Sequence, residues 1–144
     1  MSDNTKKYKD KTLPETWEPI SSVVDALKQT AKNGNISCRM ATKIAADLNI
    51  NPIEVGRTTD FLGINIVKCQ LGLFGYKPEK KIITPAQSIS AELESAIIDA
   101  STNGRLTCKA AWDIAFRLRI SKMDVSSACE TMGIKIKKCQ LGAF

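Results

Sequence analysis

The chain has 144 residues, 43% hydrophobic and 25% charged, with 21 Lys and Arg against 15 Asp and Glu and no His. The balance is that of a folded globular protein, and without His it holds no Ser/His or Cys/His nucleophile pair and few routes to a hydrolytic zinc site. The excess of +6, with a pI near 9.1, favours a polyanionic partner.

No Gly-rich phosphate loop with an adjacent Lys occurs, and the carboxylates fall mainly at exposed helical positions (Asp25, Asp47, Asp60, Asp113, Glu130). The chain is therefore expected not to be an enzyme and to need no cofactor. No apolar run approaches the roughly 18 residues of a membrane span, and the first eleven residues are polar rather than a signal peptide. A cytoplasmic protein with no membrane contact is expected.

Residues 1–17 read as a polar arm with Lys6, Lys7, Lys9 and Lys11. Such an arm is either a disordered terminus or a basic extension toward DNA phosphates or a minor groove. Trp17 is placed to fold back onto the first folded unit. From Ile20 to Lys32, Ile20, Val23, Val24, Leu27 and Ala31 fall at helical spacing, with Pro19 in the first turn and Asn33-Gly34 as the stop. Asn35-Ile36 is a short extended piece. Ser37 caps a second helix, Cys38 to Leu48, whose buried stripe is Ala41, Ile44, Ala45 and Leu48. Asn51 caps a third helix, with Pro52 at its first position, that runs to about Leu62 and ends at Gly63. Ile64-Asn65-Ile66-Val67 then alternates as a strand.

From residue 33 the chain says the same thing twice. Asn33 to Phe74 lies over Asn103 to Phe144 at a constant offset of 70 with no gap, and 18 of the 42 positions are identical. The longest identity is Lys-Cys-Gln-Leu-Gly-x-Phe, at residues 68–74 and 138–144. The predicted organisation is an arm over 1–17, a first unit over 18–75, a linker over 76–87 and a second unit over 88–144, related by internal duplication. The linker holds Pro78 and Pro85 and three Lys, and should be extended. Units this small are marginal alone and gain from packing together. A homodimer is also compatible with the sequence.

The string Ala41-x-x-Ile44-Ala45-x-x-Leu48-x-Ile50, continued by Val55 and Leu62-Gly63-Ile64, resembles the helix-turn-helix of bacterial and archaeal transcription regulators. Its counterpart is Ala111, Ile114, Ala115, Leu118, Ile120, Val125, Met132, Gly133 and Ile134. Small Ala45 allows a close approach of the second and third helices, Ile50 plugs the corner and Val55 packs across the angle. The leading helix and the extended piece resemble the winged subclass. The resemblance implies a mainly α fold with short β, in two tandem three-helix winged-helix-like units. A wing here must be stunted, or paired only with the piece before the second helix.

It also implies that the third helix reads DNA. Arg57, Thr58, Lys122, Ser126 and Ser127 are the candidates for bases, and Lys68, Lys109, Arg117, Arg119, Lys135, Lys137 and Lys138 for phosphates. Glu54, Asp60, Asp124 and Glu130 place as much negative as positive charge on that helix face, so basic groups of the second unit should dominate any grip on DNA. The function expected is DNA binding, as a transcriptional regulator. A protein-interaction module on the same scaffold is the alternative, and a thiol or metal sensor on Cys38/Cys69 and Cys108/Cys139 is a third reading. No two Cys are spaced as C-x-x-C, so no metal site is expected. Buried structural thiols are the simpler account. Within the repeated Lys-Cys-Gln-Leu-Gly segment, Leu71, Gly72 and Phe74 read as structural. Lys68, Gln70, Lys138 and Gln140 read equally as structural or as partner-facing.

Overall fold

A computed structural model describes residues 16–77 and 80–144, and among them the chain is mainly helical with short strands. The elements are α1 (Ser21–Thr30), β1 (Asn35–Ser37), α2 (Cys38–Leu48), α3 (Pro52–Leu62) and β2 (Asn65–Val67). They are followed by α4 (Ala91–Ala100), β3 (Arg105–Thr107), α5 (Cys108–Leu118), α6 (Lys122–Met132) and β4 (Lys135–Lys137). From β1 to β2 and from β3 to β4 every boundary recurs at the same offset of 70. Most of the expected polar arm lies outside the described residues.

Local chemistry accounts for the boundaries. The Ser37 and Thr107 hydroxyls accept from Met40 N (3.2 Å) and Ala110 N (3.1 Å) at the starts of α2 and α5. The Asn51 side chain accepts from Ile53 N and the Ser121 hydroxyl from Asp124 N, opening α3 and α6. Each cap occupies one of the amides left unpaired by a first helical turn, worth about 1 kcal/mol. At the ends of α3 and α6, Gly63 and Gly133 are left-handed (φ 73° and 69°). The next amides, of Ile64 and Ile134, reach back to the Thr59 and Cys129 carbonyls at 2.9 Å. α1 stops at Thr30, earlier than the sequence predicts. Asn33-Gly34 serves instead as a left-handed turn that closes a bridge between Lys32 and Asn35.

β1 pairs with β2, and β3 with β4, in parallel. The strand after the third helix thus joins the piece before the second, and the α-hairpin between them is the crossover connection that parallel strands require. Ile36 and Leu106 point into the cores, 3% and 1% exposed.

The chain divides into two compact units whose limits differ from those read in the sequence. Unit 1 holds residues up to Lys68 together with 140–143, and unit 2 holds 69–139 with Phe144. Inside unit 1, Val23, Leu27, Ala41, Ala45 and Val55 are buried with Leu141. The Leu141 carbonyl lies against Gly56 on α3 so tightly that a Cβ there would sit 1.6 Å from the oxygen. Inside unit 2, Cys69 and Leu71 join Ile97, Leu106, Ala111, Ile114, Val125 and Cys129 in one cluster. Each fully buried Leu contributes about 2–3 kcal/mol of burial, which explains why the boundary falls before Cys69 rather than at residue 75.

The stretch expected to be a linker also belongs to unit 2. Ile82 N donates to Gly72 O (2.9 Å), Ala86 N to Ser127 O (3.1 Å), and Lys81 pairs with Glu130. No helix among the described residues is long and apolar enough to cross a membrane.

Candidate functional site

The third helix of each unit is not a bare recognition surface. In α3, Thr58 is 1% exposed and its hydroxyl donates to the Glu54 carbonyl at 2.7 Å. In α6, Ser126 is 1% exposed and its hydroxyl has no partner among the described residues. Neither can read a base, which corrects the expectation from the sequence. In unit 1 the segment 140–143 lies over α3 at Gly56, so that part of the helix is covered by polypeptide rather than solvent. Arg57 is half-buried and donates to Glu54 at 3.0 Å, and the other Glu54 oxygen accepts from Trp17 Nε1 at 2.9 Å. Trp17 also meets Phe61 edge-on, so it does fold back onto unit 1. Ser127 is half-buried, with its carbonyl held by Ala86 N. Lys122 places its ammonium 4.5 Å from the centre of the Trp112 ring.

The phosphate candidates fare differently. Lys68, Lys109, Arg117, Arg119, Lys135 and Lys138 are exposed or half-buried, and Lys137 is half-buried. Lys109 pairs with Asp113 at 2.9 Å on a solvated stretch of α5. The structure brings β3 and β4 into a register that sets Arg105 opposite Lys135 and Thr107 opposite Lys137, with Lys138 next in line. No acidic residue lies on either strand. Leu106 and Ile136 turn inward, and the alternation of a strand sends Arg105, Lys135 and Lys137 outward. Beside them is a concavity of about 570 Å³ lined by Thr102, Arg105, Thr107, Lys137, Lys138 and Phe144. Like charges opposite one another in a sheet are destabilising. In unit 1 the same register pairs Asn35 with Asn65 and Ser37 with Val67. Arg105 was missed in the sequence, although its replacement of Asn35 at the matched position was a readable signal.

A second feature was also missed. α5 and the turn after it border a groove of about 1090 Å³ in unit 2, with Trp112, Phe116, Ile120 and Met123 among its walls and Arg117, Arg119 and Lys122 on its rim. Phe116 is 88% exposed. Trp112 Nε1 is buried with no acceptor among the described residues, an uncommon state for a polar group.

The five cysteines are buried and form no disulfide. Cys38 belongs to unit 1, and Cys69, Cys108 and Cys139 belong to unit 2. Burial raises the Cys69 thiol above its usual range, against hydrogen bonds from the Leu73 and Leu71 backbone that pull it down. Burial, with Glu130 adding to it, lifts Cys129 to about 11. Thiols held protonated are poor nucleophiles. Among the described residues no cluster of three or more Cys, Asp or Glu could hold a metal.

Comparison of the chain with protein-family models, with curated proteins and with solved structures finds no match.

Proposed function

We propose that the protein binds nucleic acid, duplex DNA in the first instance, through unit 2. The observation that carries this reading is the acid-free strand pair β3–β4, on which Arg105 stands opposite Lys135, with Lys137 and Lys138 next along the chain. Such a surface has an unfavourable self-energy that a row of phosphates would relieve, releasing counterions as it does so. The wider reading is a transcriptional regulator whose tandem helix-turn-helix units arose by duplication. The buried Thr58 and Ser126 favour a grip by strands on phosphates over bases read by the third helix.

The test is binding to a DNA duplex of mixed sequence across a salt series, with Arg105→Asn, Lys135→Asn and Lys137→Val combined. These are the residues unit 1 carries at positions 35, 65 and 67, so the fold accommodates them. The expected outcome is affinity that falls steeply with salt in the wild type. The variant should lose about one unit of log–log slope for each phosphate contact removed. Absence of binding at low salt, or an unchanged slope, overturns the reading.

A further inference from the structure

We propose that the groove bordered by Trp112 and Phe116 in unit 2 is a docking site for an acidic amphipathic segment of a partner protein, independent of the strand-pair surface. The matched positions of unit 1 serve as a control within the same molecule. The framework around the groove is common to both, with Ala111, Ile114, Ala115, Leu118 and Ile120 standing where unit 1 has Ala41, Ile44, Ala45, Leu48 and Ile50. The residues around that framework are not. Trp112 replaces Thr42, Phe116 replaces Ala46, Arg117 replaces Asp47, Arg119 replaces Asn49 and Lys122 replaces Pro52. Unit 1 builds the same helix and turn without an aromatic or a cation at any of these places, so folding does not call for them.

What they create is an apolar floor with a cationic rim. Phe116 offers nearly its whole ring to solvent, and a large aromatic in the open is the usual anchor of a protein contact. Trp112 sits one turn earlier on α5, on the same face. Arg117, Arg119 and Lys122 line the groove with them, three cations against one carboxylate in the lining, Asp113, which pairs with Lys109 on the exposed face of α5. The occupant must therefore bring both apolar side chains and negative charge. At about 1090 Å³ the groove exceeds the roughly 300–1,000 Å³ common for small-molecule pockets. Its lining runs along α5 and the turn after it, and a groove of mixed apolar and cationic lining is the kind that takes an amphipathic helix. Single-stranded nucleic acid could also stack on Phe116, with Gln70 and Ser121 in the lining to meet a base edge, but the uncharged lining is mostly apolar (Trp112, Ala115, Phe116, Ile120, Met123) and favours apolar side chains.

Trp17→Phe leaves Trp112 as the sole tryptophan and hence as the reporter. Three probes are titrated: a synthetic helical peptide with Leu at i, i+3, i+4 and i+7 and Glu elsewhere, the same peptide with Lys for Glu, and single-stranded poly-dT. The acidic peptide should shift the Trp112 emission to saturation, and the Lys peptide should not. Phe116→Ala, and Arg117→Asp combined with Arg119→Asn, should each weaken the acidic peptide by about tenfold or more. These substitutions restore what unit 1 carries at positions 46, 47 and 49. Arg105→Asn/Lys135→Asn/Lys137→Val should leave peptide binding intact, so that loss of the nucleic-acid reading and loss of this one are told apart. No saturable shift with the acidic peptide, equal binding of the Lys peptide, or indifference to Phe116→Ala overturns the proposal. Binding of poly-dT alone, abolished by Phe116→Ala, would replace it with a single-strand site.

Discussion

At position 46 unit 1 has an alanine, and at the matched position 116 unit 2 has a phenylalanine that is 88% exposed. Along β1–β2 the outward pairs are uncharged, while along β3–β4 they carry Arg105, Lys135 and Lys137. Meanwhile Val55 and Val125, Ala41 and Ala111, and Leu141 and Leu71 are buried to nearly the same degree. The two units therefore agree on what makes them fold and disagree on what they show to solvent. The exposed set of unit 2 has no structural counterpart to require it, and that is the reason to look for ligands there and not on unit 1.

The largest effect is expected at Gly56. Gly56→Ser introduces the residue of position 126, but its Cβ would collide with the Leu141 backbone. Chemical denaturation should show a loss of about 3 kcal/mol or more. A smaller loss would mean that residues 140–143 are not seated on α3. Next in size are Leu141→Ala and Leu71→Ala, each expected to cost about 2–5 kcal/mol through an internal cavity. Trp17 lies in unit 1 and Trp112 in unit 2, so single-tryptophan variants report each side separately. Leu141→Ala should loosen the environment of Trp17 first and Leu71→Ala that of Trp112, and the opposite assignment would refute the division of the chain after Lys68.

The smallest effect concerns Cys129, which takes the place of Thr59. Its thiol is raised to about 11 in the folded protein, so the unfolded chain releases its proton first as pH rises from about 9. The stabilisation is present below that pH and is lost on passing through the folded value, by on the order of 2 kcal/mol. Cys129→Thr should flatten this alkaline decline in a pH series of denaturation midpoints. An unchanged decline would place its origin elsewhere, and at neutral pH the wild-type thiol should resist alkylation.

The helices were legible in the sequence because their causes are local. Ser37, Asn51, Thr107 and Ser121 cap helices that they precede by one residue, and Ala41, Ile44, Ala45 and Val55 fall on the faces their spacing dictates, whereas Leu48, expected in the same stripe, lies 37% exposed at the end of α2. The burial of Thr58 and Ser126 was not legible. Nor was the placement of 69–74 and 140–143, for a related reason. The segments Lys-Cys-Gln-Leu-Gly are identical in the two halves, so nothing in their residues says which core each one completes. Only the path of the chain decides that. Arg105, Trp112 and Phe116 lie between these cases: their character was plain, but their grouping depends on the register of β3 with β4 and on the turn after α5.

The seating of Leu141 on Gly56 has a consequence for the order of events during synthesis. Unit 1 receives its covering segment from beyond nearly the whole of unit 2, so α3 is made long before the residues that shield it. A nascent chain that has emerged only as far as residue 68 holds an open apolar seat. The contact that closes it is distant in sequence and correspondingly slow to form. In that interval the near-identical segment at 69–74 is the first candidate to fill the seat. The growing chain thus passes through a stage in which the wrong tail is present and the right one does not yet exist, a source of kinetic trapping during translation.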